Sequence, residues 1–470
     1  MSGPAADMGG ALGALRRVLV ANRGEIAVRI VRACHALGLE AVVAVSDADA
    51  GGMASRLAGA EVRIGPAPAA QSYLNIQRLV DAALESGCQA VHPGYGFLSE
   101  RAGFARACAH AGLVFVGPSP EAIEAMGDKI AATRMALAAG VPRVPGSGAL
   151  PDLAAAEVEA ARIGYPVLLK ASAGGGGRGM RIVREPAQLA SAFASASAEA
   201  GAAFGDATLY VEKLIERARH VEIQLMGDHH GALVHLGERD CSTQRRHQKL
   251  IEESPSPCLD AATREAMAQA ALALARAVRY HGAGTVEFVL DEASGAFYFL
   301  EMNTRIQVEH PVTEMVSGLD LVAEQLRVAA GLPLSFTQED VRLCGHAVEC
   351  RINAEDPAKN FLPRPGTVTR FVAPTGEGVR CDSHAHDGLV VTPYYDSLLA
   401  KLVVHAPTRG EAIARMRQAL AELVVEGVAT TAAFHRELLT HPDFVARGVC
   451  TRWVEEVLVP QRQKRAVGQG

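Results

Sequence analysis

Lysine is scarce in this chain: it stands only at 129, 170, 213, 249, 359, 401 and 464, so arginine supplies 39 of the 46 basic residues. Surface solubility therefore falls to arginine, and a lysine kept against that trend is expected where a compact three-donor point charge is required. Aromatic residues make up 5% of the 470 and tryptophan occurs once. With little to stack on bases and a formal charge of −6, nucleic acid is excluded as the expected partner. The nine cysteines are odd in number, scattered and never in a C-x-x-C pair, which speaks against a disulfide framework or a zinc site and predicts reduced thiols. No apolar run nears the ~18 residues of a membrane span, and the opening MSGPAADMGG has neither the basic nor the apolar segment of an export signal. The expectation is a cytoplasmic protein without a membrane partner.

Two nucleotide fingerprints are also missing. Residues 18–47, VLVANRGEIAVRIVRACHALGLEAVVAVSD, read as strand, amphipathic helix and strand, the start of an open parallel sheet. The turn inside that unit carries only Gly24 and not G-x-G-x-x-G, so a dinucleotide-binding dehydrogenase loses its main support. The glycine loop AGGGGRGM (173–180) lacks the G-K-[ST] of a Walker loop. It joins two β-rich runs, which suits a hairpin-type flap whose backbone N–H groups can approach phosphates.

What is present is a folded composition, 49% hydrophobic and 21% charged, long enough for two to four domains at roughly 100 to 200 residues each. The proline-rich VPRVPGSGALPD (141–152) reads as a linker. A small α+β module with Lys170 and LYVEKLI (209–215) follows, and then a larger α+β region to about residue 460.

The sharpest chemical signal is TVEFVLD (285–291) followed, after a turn, by FYFLEMNTRIQVEH (297–310). A hairpin centred on Ser294 sets Glu287 opposite Glu301, and facing like charges call for a cation. With Asn303 on the same face the donors are hard oxygens, which favours Mg²⁺ or Mn²⁺ over zinc. Period-two alternation carries Arg305, Gln307 and Glu309 along that face, a pattern suited to anionic substrates. Upstream, ERDCSTQRRHQKLIEE (238–253) concentrates Arg239, Arg245, Arg246, His247 and Lys249 and reads as a strand delivering alternate cations to a phosphate or carbonate site.

Taken in order, ANRGEIAVRI, HPGYGFLSE, GDK, KASAGGGGRGM, RHVEIQ, ERDCSTQRRHQK, EMNTRIQVEHPVTEM, HAVECRINAEDP and PYYDSLLAKL resemble the biotin carboxylase subunit or domain of biotin-dependent carboxylases, in the ATP-grasp superfamily. The resemblance runs from about Arg17 to Val457. It implies an ATP-grasp fold with an N-terminal parallel-sheet domain (16–142), a small mobile lid (143–215) and a catalytic core with a C-terminal α+β domain (216–460).

The implied reaction is ATP- and bicarbonate-dependent carboxylation of biotin through carboxyphosphate. By the same resemblance Lys129 and Lys170 hold ATP phosphates, Gly176 and Gly177 belong to the closing loop, Glu212, Lys213, Leu214 and Ile215 meet adenine, and His220 and His247 approach the nucleotide. Glu287, Glu301 and Asn303 bind two Mg²⁺ or Mn²⁺ ions. Lys249, Arg305, Gln307 and Val308 hold bicarbonate, Glu309 is its general base, and Arg351 stabilises the biotin enolate. Ala173 and Ser254 stand where the family usually has glycine and alanine.

No biotin-attachment tetrad occurs, so the resemblance implies biotin arriving on a separate carrier protein, carboxyltransferase subunits as further partners, and a homodimer. Acetyl-CoA carboxylase is the commonest setting, with propionyl-CoA, pyruvate or another acyl acceptor as alternatives. A catalytically silent nucleotide-binding partner is the competing reading from outside the enzyme class, and the retained Arg305, Glu309 and metal carboxylates speak against it.

Overall fold

The computed structural model describes residues 12–13, 15–171, 180–204 and 206–467. The expected loop glycines Gly176 and Gly177, and Ala173, lie outside the described residues. The chain forms two compact units, a larger one that runs to Val141 and takes in Arg219–Phe288 and Leu300–Gly470, and a smaller one made of Pro142–Ala218 and Val289–Phe299.

The larger unit contains two sheets. β1 (Arg17–Val20), β2 (Glu40–Ser46), β3 (Glu61–Gly65), β4 (Ala90–His92) and β5 (Val114–Phe115) lie in the order β3-β2-β1-β4-β5 with every neighbour parallel. Val18, Leu19 and Val20 are fully buried, as expected of a central strand covered on both faces. Between β1 and β2 runs helix α1 (Gly24–Ala36), whose Ile26, Ala27, Ile30, Val31 and Cys34 are buried. Each such aliphatic side chain contributes about 1.5–3 kcal/mol when withdrawn from water. Arg29 on the same helix is buried too and reaches Glu314 at 2.8 Å and Asp320 at 2.5 Å.

The second sheet positions the chemistry. Its strands β9 (Ala218–Gly227), β10 (Leu233–Arg245), β11 (Gln248–Ser254), β12 (Gly282–Asp291), β13 (Phe297–Asn303), β14 (His346–Asn353), β15 (Val379–Ser383) and β16 (Leu398–Ala406) lie in the order β13-β12-β9-β10-β11-β14-β16-β15. Antiparallel register sets Glu252 beside Glu349, Glu349 beside Val403, and Arg351 beside Lys401. Side chains alternate along a strand, so Glu252, Glu349, Arg351 and Lys401 share one face. Helix α2 (His310–Ser317) covers that face, with Val312 and Val316 packed on Ala347 and Val403.

In the smaller unit β6 (Val167–Ala171) is flanked by β7 (Arg181–Val183) and β8 (Leu209–Lys213), both antiparallel to it. The glycine loop therefore joins adjacent antiparallel strands, as its flanks predict. The expected linker at 141–152 turns out differently. Ser147 N–H donates to Val211 O, Lys213 N–H to Pro145 O and Leu150 N–H to Leu209 O, each at 2.8 Å, so the segment is stitched along β8. Its prolines lack N–H donors, which breaks the pairing into isolated bridges and gives it the composition of a linker.

Candidate active site

Lys249 is the hub. Its ammonium donates to Glu222 Oε2 at 2.6 Å, Glu287 Oε1 at 3.0 Å and Glu309 Oε1 at 2.5 Å. Sheet register explains the convergence. Glu222 on β9 is paired with Arg239 on β10, and Gln244 on β10 with Lys249 on β11. Arg239, fully buried, donates to Glu222 Oε1 and Gln224 Oε1 at 2.6 Å and to Thr313 and Thr285 hydroxyls at 3.0 and 3.1 Å. Each of its three nitrogens donates to protein, so it orients Glu222.

Glu309 divides its two oxygens between two cations. Oε1 faces Lys249, and Oε2 accepts from Arg351 Nη2 at 3.0 Å while Arg351 Nε donates to Glu252 Oε1 at 2.6 Å. Val308 next to it is fixed by Lys401, which is fully buried, donates to Val308 O at 2.9 Å and lies 3.1 Å from Glu25 Oε2 on the first turn of α1. Tyr95 donates to the other oxygen of Glu25.

Regular strand ends at Asn303, yet the alternate residues beyond it stay together. Arg305 donates to Asn303 Oδ1 at 2.9 Å and Gln307 Oε1 at 2.7 Å, and Gln307 Nε2 to Glu287 Oε1 at 3.1 Å. Glu100, from HPGYGFLSE, accepts from Arg305 Nε at 2.8 Å and from Thr304 N at 2.9 Å. The HPGYG turn needs its glycine: Gly94 has φ +61°, and a Cβ there would sit 3.0 Å from Asn22 Nδ2.

Burial alone would lift the Glu309 carboxyl, but Lys249, Arg351 and Arg239 overcome it and hold the group well below the usual carboxylate range. Glu287 is likewise lowered against burial by Lys249 and His220, whose Nε2 lies 3.0 Å from Glu287 Oε2. Burial opposes the charge on Lys249 too, and the carboxylates of Glu222, Glu287 and Glu309 outweigh it, so its pKa rises. Cys241, 3.9 Å from Glu309, is pushed up by burial and by Glu222 and remains a thiol.

Glu301 behaves oppositely. Burial and then the Glu287 charge raise its pKa, with Lys129 pulling the other way. The turn at 292–295 closes with Asp291 N–H donating to Ala296 O at 2.8 Å, which centres it between Ala293 and Ser294 and not on Ser294 as expected, and the Glu287 charge still reaches and repels that of Glu301. An all-oxygen pair short of positive charge fits a divalent cation. Among the described residues two sets of potential ligands, His220 with Glu222 and Glu287 and Glu222 with Cys241 and Glu309, have ligand atoms within 4.8 Å of one another, and Glu301 belongs to neither.

Among the expected nucleotide residues, Lys129 starts the helix Lys129–Ala138. In the smaller unit Lys170 Nζ donates to Glu212 Oε2 at 2.5 Å, and Lys213 Nζ is spent on the carbonyls of Gly164 and Tyr165 at 2.9 and 3.0 Å. Leu214 N–H donates to Pro166 O at 3.1 Å, and Ile215 follows half-buried.

The cation-rich segment needs correction. It is a hairpin, with Arg246 (φ 48°) and His247 (φ 64°) forming its two-residue turn. Arg245 packs 4.3 Å over Phe361 and bonds Asn360, and His247 is exposed at the tip. Only Arg239 and Lys249 reach the buried cluster. A two-residue turn usually announces itself by Asn-Gly or Asp-Gly, and Arg-His gives no such cue.

The residues missed by sequence reasoning are Glu25, Glu100, Glu222, Glu252 and Lys401. Lysine scarcity pointed to Lys401 without giving it a role. Ser254, the departure from the family pattern, donates its hydroxyl to Glu238 O at 2.7 Å.

Comparison with known proteins follows this geometry. Residues 14–123 match the family described as biotin carboxylase, N-terminal domain; 128–337 match carbamoyl-phosphate synthase L chain, ATP binding domain; and 349–456 match biotin carboxylase C-terminal domain. A biotin carboxylase of Nostoc sp. is 53% identical over 442 residues, covering 94% of this chain and 99% of the relative. The crystal structure of the Campylobacter jejuni biotin carboxylase complex with β-γ-ATP has a TM-score of 0.87 at 48% identity, covering 95% of this chain and 99% of that one. The biotin carboxylase domain dimer of Hydrogenobacter thermophilus 2-oxoglutarate carboxylase, solved with MgADP, ADP and bicarbonate, has a TM-score of 0.85 at 48% identity, covering 94% and 97%.

Proposed function

The chain belongs to the biotin carboxylase family of ATP-grasp ligases, and from that premise we propose the roles of its residues in the ATP-dependent carboxylation of biotin. The observation that carries the assignment is the sharing of Glu309 between Lys249 and Arg351. One carboxylate thus stands against both the cation assigned to bicarbonate and the cation assigned to biotin.

Glu309 is the base that takes the bicarbonate proton. Its pairing keeps it ionised at neutral pH. Bicarbonate beside Lys249 draws on the same ammonium, which raises the proton affinity of Glu309 when it must accept a proton. Arg305, fixed by Glu100 and Gln307, and Val308, fixed by Lys401, complete the anion site. Arg351, braced by Glu252, presents its guanidinium to the biotin enolate.

Lys129, Lys170, Glu212, Lys213, Leu214, Ile215, His220 and His247 are the nucleotide residues, joined by Gly176 and Gly177. Glu287, Glu301 and Asn303 are assigned to Mg²⁺ or Mn²⁺, which neutralises phosphate charge during phosphoryl transfer. Glu287 orients toward that role through His220 and Gln307.

Biotin arrives on a carrier protein, and carboxyltransferase subunits pass the carboxyl group to acetyl-CoA. The 2-oxoglutarate carboxylase relative supports the view that this half-reaction is shared by carboxylases with other acceptors. A homodimer in the cytoplasm completes the proposal. Among the described residues no helix is long and apolar enough to cross a membrane.

The test is ADP release with Mg²⁺, ATP and bicarbonate, with and without free biotin, in wild type and Glu309→Gln. Biotin stimulation in wild type and its loss in a folded variant support the assignment. ATP turnover indifferent to biotin and bicarbonate overturns it.

A further inference from the structure

Beside Arg351 the sheet holds an unusual pair. Glu252 on β11 and Glu349 on β14 are direct cross-strand neighbours, and both are 0% exposed. Glu252 Oε1 accepts from Arg351 Nε, but Glu252 Oε2 and both oxygens of Glu349 are buried without a hydrogen-bond partner among the described residues. Two ionised carboxylates placed opposite each other repel even at a surface, and in a dry interior the charge cost is several kcal/mol per unpaired ion.

The groups that face the pair do not supply it with a cation of its own: Lys249 pulls on Glu252 but is spent on Glu222, Glu287 and Glu309, and the Glu309 charge opposes ionisation of both members. On β14 Arg351 is shared by Glu252 and Glu309. On β16 Lys401 is spent on Val308 O and Glu25. On α2 His310 Nδ1 donates to Gln307 O at 2.7 Å and the ring is kept neutral by burial and by Lys401, while Glu314 is taken by Arg29 and Arg380.

We propose that this buried pair carries one proton and not two charges, with Glu349 the neutral acid and Glu252 the anion, and that this arrangement makes Glu252 the positioning residue for Arg351. Burial and the neighbouring Glu252 charge push the Glu349 carboxyl well above its ordinary range, with Lys401 only partly opposing them. Burial also lifts Glu252, to about 7, against the pull of Arg351.

That proton matters for the guanidinium. With Glu349 neutral, Arg351 answers to two carboxylates, Glu252 through Nε and Nη2 and Glu309 through Nη2. A second anion at 349 would draw it back into the sheet. The effect on biotin rests on the assignment of Arg351 to the enolate above; the proton itself does not.

Two measurements separate those claims. In infrared spectra of the full chain at pH 8, the carbonyl stretch of a protonated carboxylic acid should be present in wild type and reduced in Glu349→Gln. If no such band is lost in Glu349→Gln, the proton is not on Glu349 and the proposal falls, whatever the kinetics. In the biotin-dependent assay, Glu349→Gln, which reproduces a neutral side chain of the same shape, should keep the KM for biotin within about twofold. Glu252→Gln should raise that KM at least tenfold with the KM for ATP little changed.

A Glu349→Gln variant as impaired as Glu252→Gln shows a working anion at 349 and overturns the proposal. If the infrared band behaves as expected but Glu252→Gln changes only the KM for ATP, the proton stands and the role of Arg351 toward biotin is what fails. Should Glu252→Gln not fold, Glu252→Asp serves: the shorter anion should again raise the KM for biotin, and an unchanged value overturns the positioning role.

Discussion

The Lys249 ammonium lies 2.5 Å from Glu309 Oε1 and is shared with Glu222 and Glu287, so one cation holds three buried carboxylates. Lys249→Met leaves those charges to Arg239, Arg351 and His220 alone. Breaking a buried ion pair costs about 3–5 kcal/mol, so the urea midpoint should fall, and ADP release should drop at least ~100-fold. Lys249→Arg should not restore the rate, because a planar fork cannot replace a compact ammonium among three acceptors. Full activity in Lys249→Arg would remove the argument from lysine scarcity at this position.

Glu301 and Glu287 give the opposite sign. Two neighbouring carboxylates repel in the absence of metal, so Glu301→Gln should leave the thermal midpoint of the metal-free protein equal to or above that of wild type. Turnover should nevertheless be lost, together with most of the extra stability that ATP and Mg²⁺ give wild type by binding the folded state. A variant that loses stability without metal and still gains it from MgATP would show Glu301 to be structural.

Lys401 is the buried cation that sequence reasoning left without a role. Lys401→Met removes the support of Val308 O and strands the Glu25 carboxylate, a loss of about 3–5 kcal/mol. Where the variant folds at low temperature, its KM for bicarbonate should rise with the KM for ATP little changed. Equal rises in both would assign Lys401 to packing alone.

His435 supplies a pH test. Burial lowers its pKa to about 4, against the hydrogen bond between Nε2 and Arg351 O. A depressed histidine stays neutral in the folded protein and takes up a proton on unfolding, so its contribution is present above ~6.5 and is lost as pH falls toward 4. Between pH 7.5 and 5.5 wild type should lose about 1.4 kcal/mol more stability than His435→Gln. Denaturant titrations of both proteins at the two pH values measure this difference, and parallel pH dependences would contradict it.

Much of the molecule was legible in the chain. Apolar β1 and β2 around an amphipathic helix specify a parallel sheet because local periodicity fixes which faces must be covered. The carboxylates of 285–310 could be placed on one face because a hairpin makes neighbours of residues a known distance apart in sequence. Lysine retention marked Lys249 for the same reason that it marked Lys401: few other residues offer a compact ammonium.

Tertiary structure decided the partners. Glu222 meets Lys249, Glu25 meets Lys401 and Glu252 meets Glu349 across separations from 27 to 376 residues, and no local pattern encodes such pairings. The turn at Arg246 and His247 kept Arg245, Arg246 and His247 out of the Lys249 cluster without a turn signal to announce it. Proline disguised an edge of the small sheet as a linker. Sequence by itself determined which chemistry could be assembled, because residue type and period are local properties. The fold alone decided which carboxylates face a cation and which face each other, because burial and register set the charge balance of an interior.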